Sequence, residues 1–332
     1  MSPIAALFGS LIAANIATWL WAWAAFHDRP VLFGTAFLAW TLGLRHAVDA
    51  DHIAAIDNVT RKLMQAGRRS LTVGLFFALG HSAVVVLAVG ALALAAPSLR
   101  SWLEGWREVG GLIGTLVSAS FLFAIAIVNL VIFRSTWKAF RHARDGTAAV
   151  DAPTIGGGVL TRLCGPLFAL ITRPWHMLLL GFLFGLGFDT ATEVALLGLS
   201  ATQAANGLSL GTVLVFPALF AAAMALVDSA DGALMLNAYG WAFVKPVRKL
   251  YYNLVITLIS VVVAVAVGSI ELLGLLNERL GRASPFWDSI GRLSDNADLL
   301  GFVIIGVFVS VWLGALALYR YRRLDEVEAA AD

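Results

Sequence analysis

The sequence predicts an all-α membrane protein, a bundle of about eight transmembrane helices with both termini cytoplasmic. Of its 332 residues, 60% are hydrophobic and only 13% are charged, whereas soluble domains carry about 25% charged residues. The mean hydropathy is +0.84. The apolar residues also gather into runs of about 20, the length that crosses a bilayer as a helix.

In chain order the runs fall near 3–26, 31–57, 72–96, 110–133, 174–200, 210–241, 251–276 and 299–319. The first has no basic leader and no clear small-residue cleavage site, so it reads as a retained helix. The second, fifth and sixth stand out because acidic residues interrupt them. The segment 143–160 is rich in Asp, Gly, Thr, Ala and Pro and ends in three glycines, which marks a linker. The expected organisation is a single integral-membrane domain over 1–332. It has an N-terminal four-helix half (1–133), a cytoplasmic linker (134–173) and a C-terminal four-helix half with a short tail (174–332). Helices two and five share an acidic theme and would run in opposite directions, as an inverted repeat of the two halves would require.

Basic residues set the orientation. Arg61, Lys62, Arg68, Arg69, Arg134, Lys138, Arg141, Arg144, Arg162, Arg173, Lys245, Arg248, Lys249, Arg320, Arg322 and Arg323 fall on one side. Only Arg29, Arg100, Arg107, Arg279, Arg282 and Arg292 fall on the other. The richer side is predicted to be cytoplasmic. The net charge of +2 is too small to suggest a nucleic-acid partner. The single cysteine, Cys164, excludes an internal disulfide and a multi-thiolate metal centre.

The most informative stretch is Arg45-His46-Ala47-Val48-Asp49-Ala50-Asp51-His52-Ile53. Ionisable groups at membrane depth cost roughly 2.5–3.5 kcal/mol each on insertion scales, so five in nine residues need a task. On a regular helix His46, Asp49 and His52 share one face within an arc of about 120°, and Asp51 points away. Either Asp51 serves another partner or the helix deforms here. Neutral imidazole with carboxylate suits Ni(II), Co(II) and Zn(II). Two histidines argue against Mg(II), and Cu(I) would call for more sulfur.

Acids and polar groups recur in later spans. In the fifth, Asp189, Thr192 and Glu193 would form one polar stripe on a regular helix. In the sixth, Asp228 and Asp231 sit at i and i+3, with Met224 beside them as packing. His81 lies in the third span, and Asn15 is the lone strongly polar side chain of the first. Asp57 would lie further inward from His46, at the exit or as a helix-end cap.

Four motifs together resemble the nickel/cobalt transporter family of eight-helix permeases. Arg45 to Ile53 carries its His-x4-Asp-His signature. Leu79-Gly80-His81-Ser82-Ala83-Val84-Val85, Leu186 to Glu193, and Met224 to Gly232 match the others in order. Ala83, Ala223 and Ser229 depart from the usual residues, which touches packing rather than chemistry. The resemblance implies a secondary permease importing Ni(II) or Co(II) across the bacterial cytoplasmic membrane. The ion is its substrate, and no cofactor is expected. Its partners would be that ion and the lipid bilayer, with no ATPase subunit and no enzyme activity. Within the family, Val48 and Asn15 resemble the nickel-preferring members.

On this reading His46, Asp51 and His52 carry the metal site, with Asp49 as ligand or as orienter of a histidine. Asn15 and His81 complete or flank it. Asp189, Thr192, Glu193, Asp228 and Asp231 line the transport path or carry protons.

Three other readings compete with import. Export of the same ions would be expected with a histidine-rich cytoplasmic segment, but 134–173 holds only His142. A membrane zinc protease would show His-Glu-x-x-His, which is absent. A receptor or scaffold leaves acids in three spans without a role. Because ligand histidines must be neutral, uptake is expected to fall as pH drops from about 7.5 to about 5.5. Unchanged uptake over that range would contradict histidine ligation.

Overall fold

The computed structural model describes residues 2–94, 97–144, 171–187, 190–242, 246–281 and 284–321. Among them it is all-helical, and the chain is a multi-pass membrane protein. Helix α1 runs Pro3–Phe26, with Ser2 as N-cap accepting from the Ala5 amide at 3.2 Å and a proline in its first turn. Then come α2 (Pro30–His46), α3 (Ala50–Gln65), α4 (Val73–Leu94) and α5 (Pro97–Arg144). After these lie α6 (His176–Gly185), α7 (Ala191–Ala205), α8 (Leu210–Val213) and α9 (Val215–Ala242). Helices α10 (Pro246–Leu280), α11 (Pro285–Asp295) and α12 (Ala297–Tyr321) complete the set. Five spans are long and apolar enough to cross a membrane. Counting the bent pairs α2–α3 and α11–α12 as one span each makes seven.

Two expected spans are broken rather than continuous. The second divides at Ala47–Asp49, where α2 and α3 meet at 52°. The last turn of α2 tightens through Val48 N–H to Arg45 O and Asp49 N–H to His46 O. Asp49 then turns extended (φ −61°, ψ 144°) and starts α3. The shared face computed for a regular helix therefore does not apply. The fifth span likewise divides into α6 and α7, with Thr190 as N-cap of α7, so its expected stripe is not that of one helix. Asp189 and residues 145–170 of the expected linker lie outside the described residues. Helix α5 extends beyond the apolar run 110–133 at both ends, into the start of that linker.

Helix α3 is the axle of the bundle, packing on α4, α5, α9, α10 and α12. Thirteen of its residues are buried: Ala50, His52, Ile53, Ala54, Ala55, Ile56, Asp57, Asn58, Val59, Thr60, Arg61, Leu63 and Met64. A helix buried on all sides is usually apolar all round. This one is buried with its polar groups intact, so it can carry a polar path through the interior. The outer surface is apolar instead. Ile16, Leu20, Trp23, Leu87, Val262 and Val303 are each more than half exposed, far more than a soluble surface shows in one belt.

Close helix contacts fix the geometry. A Cβ on Gly74 of α4 would overlap the Asp228 carbonyl of α9, and one on Gly181 of α6 would overlap the Phe77 carbonyl of α4. Small residues at such crossings let membrane helices approach to backbone contact.

Candidate metal site

The break between α2 and α3 turns two histidines toward each other. His46 closes α2, and His52 lies in the first turn of α3. His81 of α4 is the third member. Their ring centroids form a near-equilateral triangle with sides of 4.7, 4.8 and 4.8 Å. One nitrogen from each ring lies within 4.8 Å of the other two, and all three residues are buried. Among the described residues they are the grouping of His, Cys, Asp and Glu suited to hold a metal ion.

Each ring is held from behind. His46 Nδ1 is 2.9 Å from Asp49 Oδ2 and 3.1 Å from Thr192 Oγ1. His52 Nδ1 faces both oxygens of Asp228, at 3.3 and 3.4 Å. A proton on Nδ1 of each ring donates to its carboxylate and leaves the Nε2 lone pair facing inward. His52 Nε2 is buried without a hydrogen-bond partner. The Nε2 atoms of His46 and His81 are 2.9 Å apart, and Glu193 Oε1 is 2.9 Å from His81 Nε2 and 3.9 Å from His46 Nε2.

Asp49 shows what the local sequence gives up for this arrangement. Aspartate is among the best N-caps, worth about 1 kcal/mol. Here its side chain makes no cap bond and holds His46 instead. Phe77 stands edge-on to His52 at 4.8 Å, and Phe220 lies 5.4 Å from His46. The two aromatic rings exclude water from the cluster and so strengthen its electrostatics.

The remaining expected residues have distinct places. Glu193 and Thr192 reach the cluster from the first turn of α7. Asp228 holds His52. Asp51 accepts from the His52 amide at 2.9 Å and faces a cavity. Asn15 accepts from Trp40 Nε1 and donates to the carbonyls of Leu11 and Ala222, each at 3.0 Å, tying α1 to α2 and α9. Asp231 is buried further along α9, and Met224 sits in the apolar core.

Sequence reasoning missed two features. Thr190 caps α7, donates to Glu193 Oε2 at 3.2 Å and approaches His46 Nδ1 at 3.4 Å. The Thr190-x-x-Glu193 spacing, that of a capping box, was the available signal. The other is a cavity of about 440 Å³ that opens beside the cluster. Asp49, Asp51, Thr190 and Thr192 line its inner end, and Glu271 and Glu278 of α10 lie further out. Glu271 interrupts an apolar run, so its position alone could have marked it.

The family model of NicO, a high-affinity nickel-transport protein, matches residues 32–318. The chain belongs to the NicO family. Its relatives include a high-affinity nickel transport protein of Cupriavidus necator. That protein is 57% identical over 99% of this chain and 95% of its own length. The hydrogenase nickel incorporation protein HupN of Bradyrhizobium diazoefficiens is 56% identical, over 95% of this chain and 84% of its own. A NicO-family match of different printed cargo is the cobalt transport protein NhlF of Rhodococcus rhodochrous, 42% identical over 86% of this chain and 82% of its own length. No solved structure matches.

Proposed function

We propose that this chain is a secondary permease that imports Ni(II), and Co(II) with it, across the cytoplasmic membrane. The ion is held by Nε2 of His46, His52 and His81, with Glu193 Oε1 beside them. The observation that carries this reading is the buried triangle of imidazoles backed by Asp49 and Asp228. At a metal–nitrogen length of about 2.1 Å, two donors at right angles lie about 3.0 Å apart. The two 2.9 Å separations around His81 Nε2 fit that spacing. The names of the Cupriavidus and Rhodococcus relatives support nickel and cobalt as cargo.

Direction follows from charge. The excess of lysine and arginine on one side assigns both termini to the cytoplasm. In that orientation the acidic cavity opens outward, and α3 descends from the histidines toward the cell interior. Two charges moving inward gain roughly 4.6 kcal/mol per 100 mV of membrane potential. Neutralising the outer acid in Glu271→Gln is expected to raise the KM for nickel two- to fivefold, roughly the scale of a screened charge pair. The maximal rate should be nearly unchanged. A kinetic defect confined to the maximal rate would remove Glu271 from the entry path.

Nickel-edge X-ray absorption on the loaded protein tests the ligand set. Imidazole scattering from three rings is expected, and a shell of oxygen alone would reject the site. Asp49→Asn weakens the hold on His46 and is expected to lower nickel affinity by about tenfold, the scale of an outer carboxylate. Equilibrium dialysis reads this directly, and unchanged affinity would deny Asp49 its orienting role.

A further inference from the structure

Beyond the histidines, away from the cavity, α3 carries buried polar groups that the cluster does not use. Asp57 lies about 7.5 Å along the helix from His52, and Arg61 about 13.5 Å. Asp57 is 1% exposed and accepts from Ser260 Oγ of α10 at 3.0 Å. Across the α3–α9 crossing, Asp231 is 8% exposed, and its Oδ2 has no hydrogen-bond partner. The two acids lie at one level, because a Cβ on Gly232 would stand 3.5 Å from Ile56 Cγ2. The charged neighbours that act on Asp231 are Asp57 and Asp228. Asp228 in turn holds His52. An unpartnered carboxylate oxygen facing other carboxylates in a dry interior is costly unless a cation shares the space.

The next turn of α3 carries the opposite charge. Arg61 is 2% exposed and donates to Thr257 Oγ1 at 2.9 Å and Asn58 Oδ1 at 3.0 Å. Asn58 Oδ1 also accepts from Asn129 Nδ2 at 2.6 Å, so the knot joins α3, α5 and α10. All these partners are neutral, and among the described residues no carboxylate lies within 4.0 Å of the guanidinium. A buried positive charge across the inner end of the acidic track repels a cation until the knot opens.

We propose that Asp57 and Asp231, with the Ser260 hydroxyl, form a second and weaker cation station between the histidine cluster and the inner end of α3, closed by Arg61. The proposal deepens the import reading and rests on it for direction. Its donors are all oxygen, which hold nickel less tightly than imidazole does. That ordering suits a path on which each site must release what it binds.

The test is equilibrium dialysis of the purified full-length chain with nickel alone. Wild type is expected to bind one ion. Arg61→Gln removes the repelling charge and is expected to bind a second, weaker one. That second ion should disappear in Arg61→Gln/Asp57→Asn and remain in Arg61→Gln/His52→Ala. A single ion in Arg61→Gln overturns the proposal. If Arg61→Gln fails to fold, Asp57→Asn alone decides. It should keep the first ion at unchanged affinity yet transport about tenfold slower or worse in proteoliposomes, the scale of losing a carboxylate near the metal. Normal transport in that variant also overturns it. A wild type without bound nickel, beside an Arg61→Gln chain whose single ion depends on Asp57, would reject the histidine site and keep the station.

Discussion

His52→Ala is expected to weaken nickel binding by about a hundredfold or more, at the upper end of what lost support costs a metal site. Membrane insertion should be unaffected. The ring presents Nε2 to the cluster and uses Nδ1 only to reach Asp228. Alanine removes the donor and leaves a gap beside Phe77. The lesion in the apolar core is therefore small beside the lesion in binding. His46→Ala should behave alike, because it deletes the ring that Asp49 and Thr192 orient. Calorimetric titration with nickel, beside a size-exclusion profile in detergent, separates the two effects. A variant that elutes normally and binds as wild type would remove that histidine from the site.

The second large effect is structural. Gly74→Val is expected to lose folded protein and transport together. Any Cβ at this position overlaps the Asp228 carbonyl, so α4 and α9 must move apart. Overpacking of this kind costs about 1–3 kcal/mol, and more where the obstacle is backbone. The movement would also carry His81 away from Asp228 and His52. Gly90→Val in the same helix is the control, since a Cβ there meets open space. Thermal unfolding in detergent should show a lowered midpoint for Gly74→Val and little change for Gly90→Val. Equal midpoints would mean that the α4–α9 contact does not set the fold.

Much of this architecture could be read from the chain. Membrane spans declare themselves by apolar runs, because lipid demands them. His46 and His52 declared themselves because buried ionisable groups are costly. The breaks were harder to see. No proline marks Ala47–Asp49, and a regular helix also placed His46 and His52 on one face. The cue was Asp49, a residue type that starts helices, but its side chain serves the imidazole rather than the cap. The amphipathic α11 was signalled by Ser284 before Pro285, an N-cap followed by proline, yet hydropathy passes over such helices. Cross-helix pairs were out of reach. Ser260 meets Asp57 across 203 residues of sequence, and Arg61 meets Thr257 across 196. Nothing in one sequence encodes those separations. The partner of His81 was equally hidden, since Glu193 reaches it from a broken span that reads as continuous.

The most direct test is accumulation of radiolabelled nickel and cobalt in cells making this protein, wild type beside His52→Ala at matched membrane levels. Accumulation above an empty-vector control, lost in the variant, is the predicted result, and the ratio of the two metals would give the preference. Accumulation below the control that the variant restores would contradict import and indicate export. Equal accumulation in wild type, variant and control would contradict the histidine site as a route for either metal.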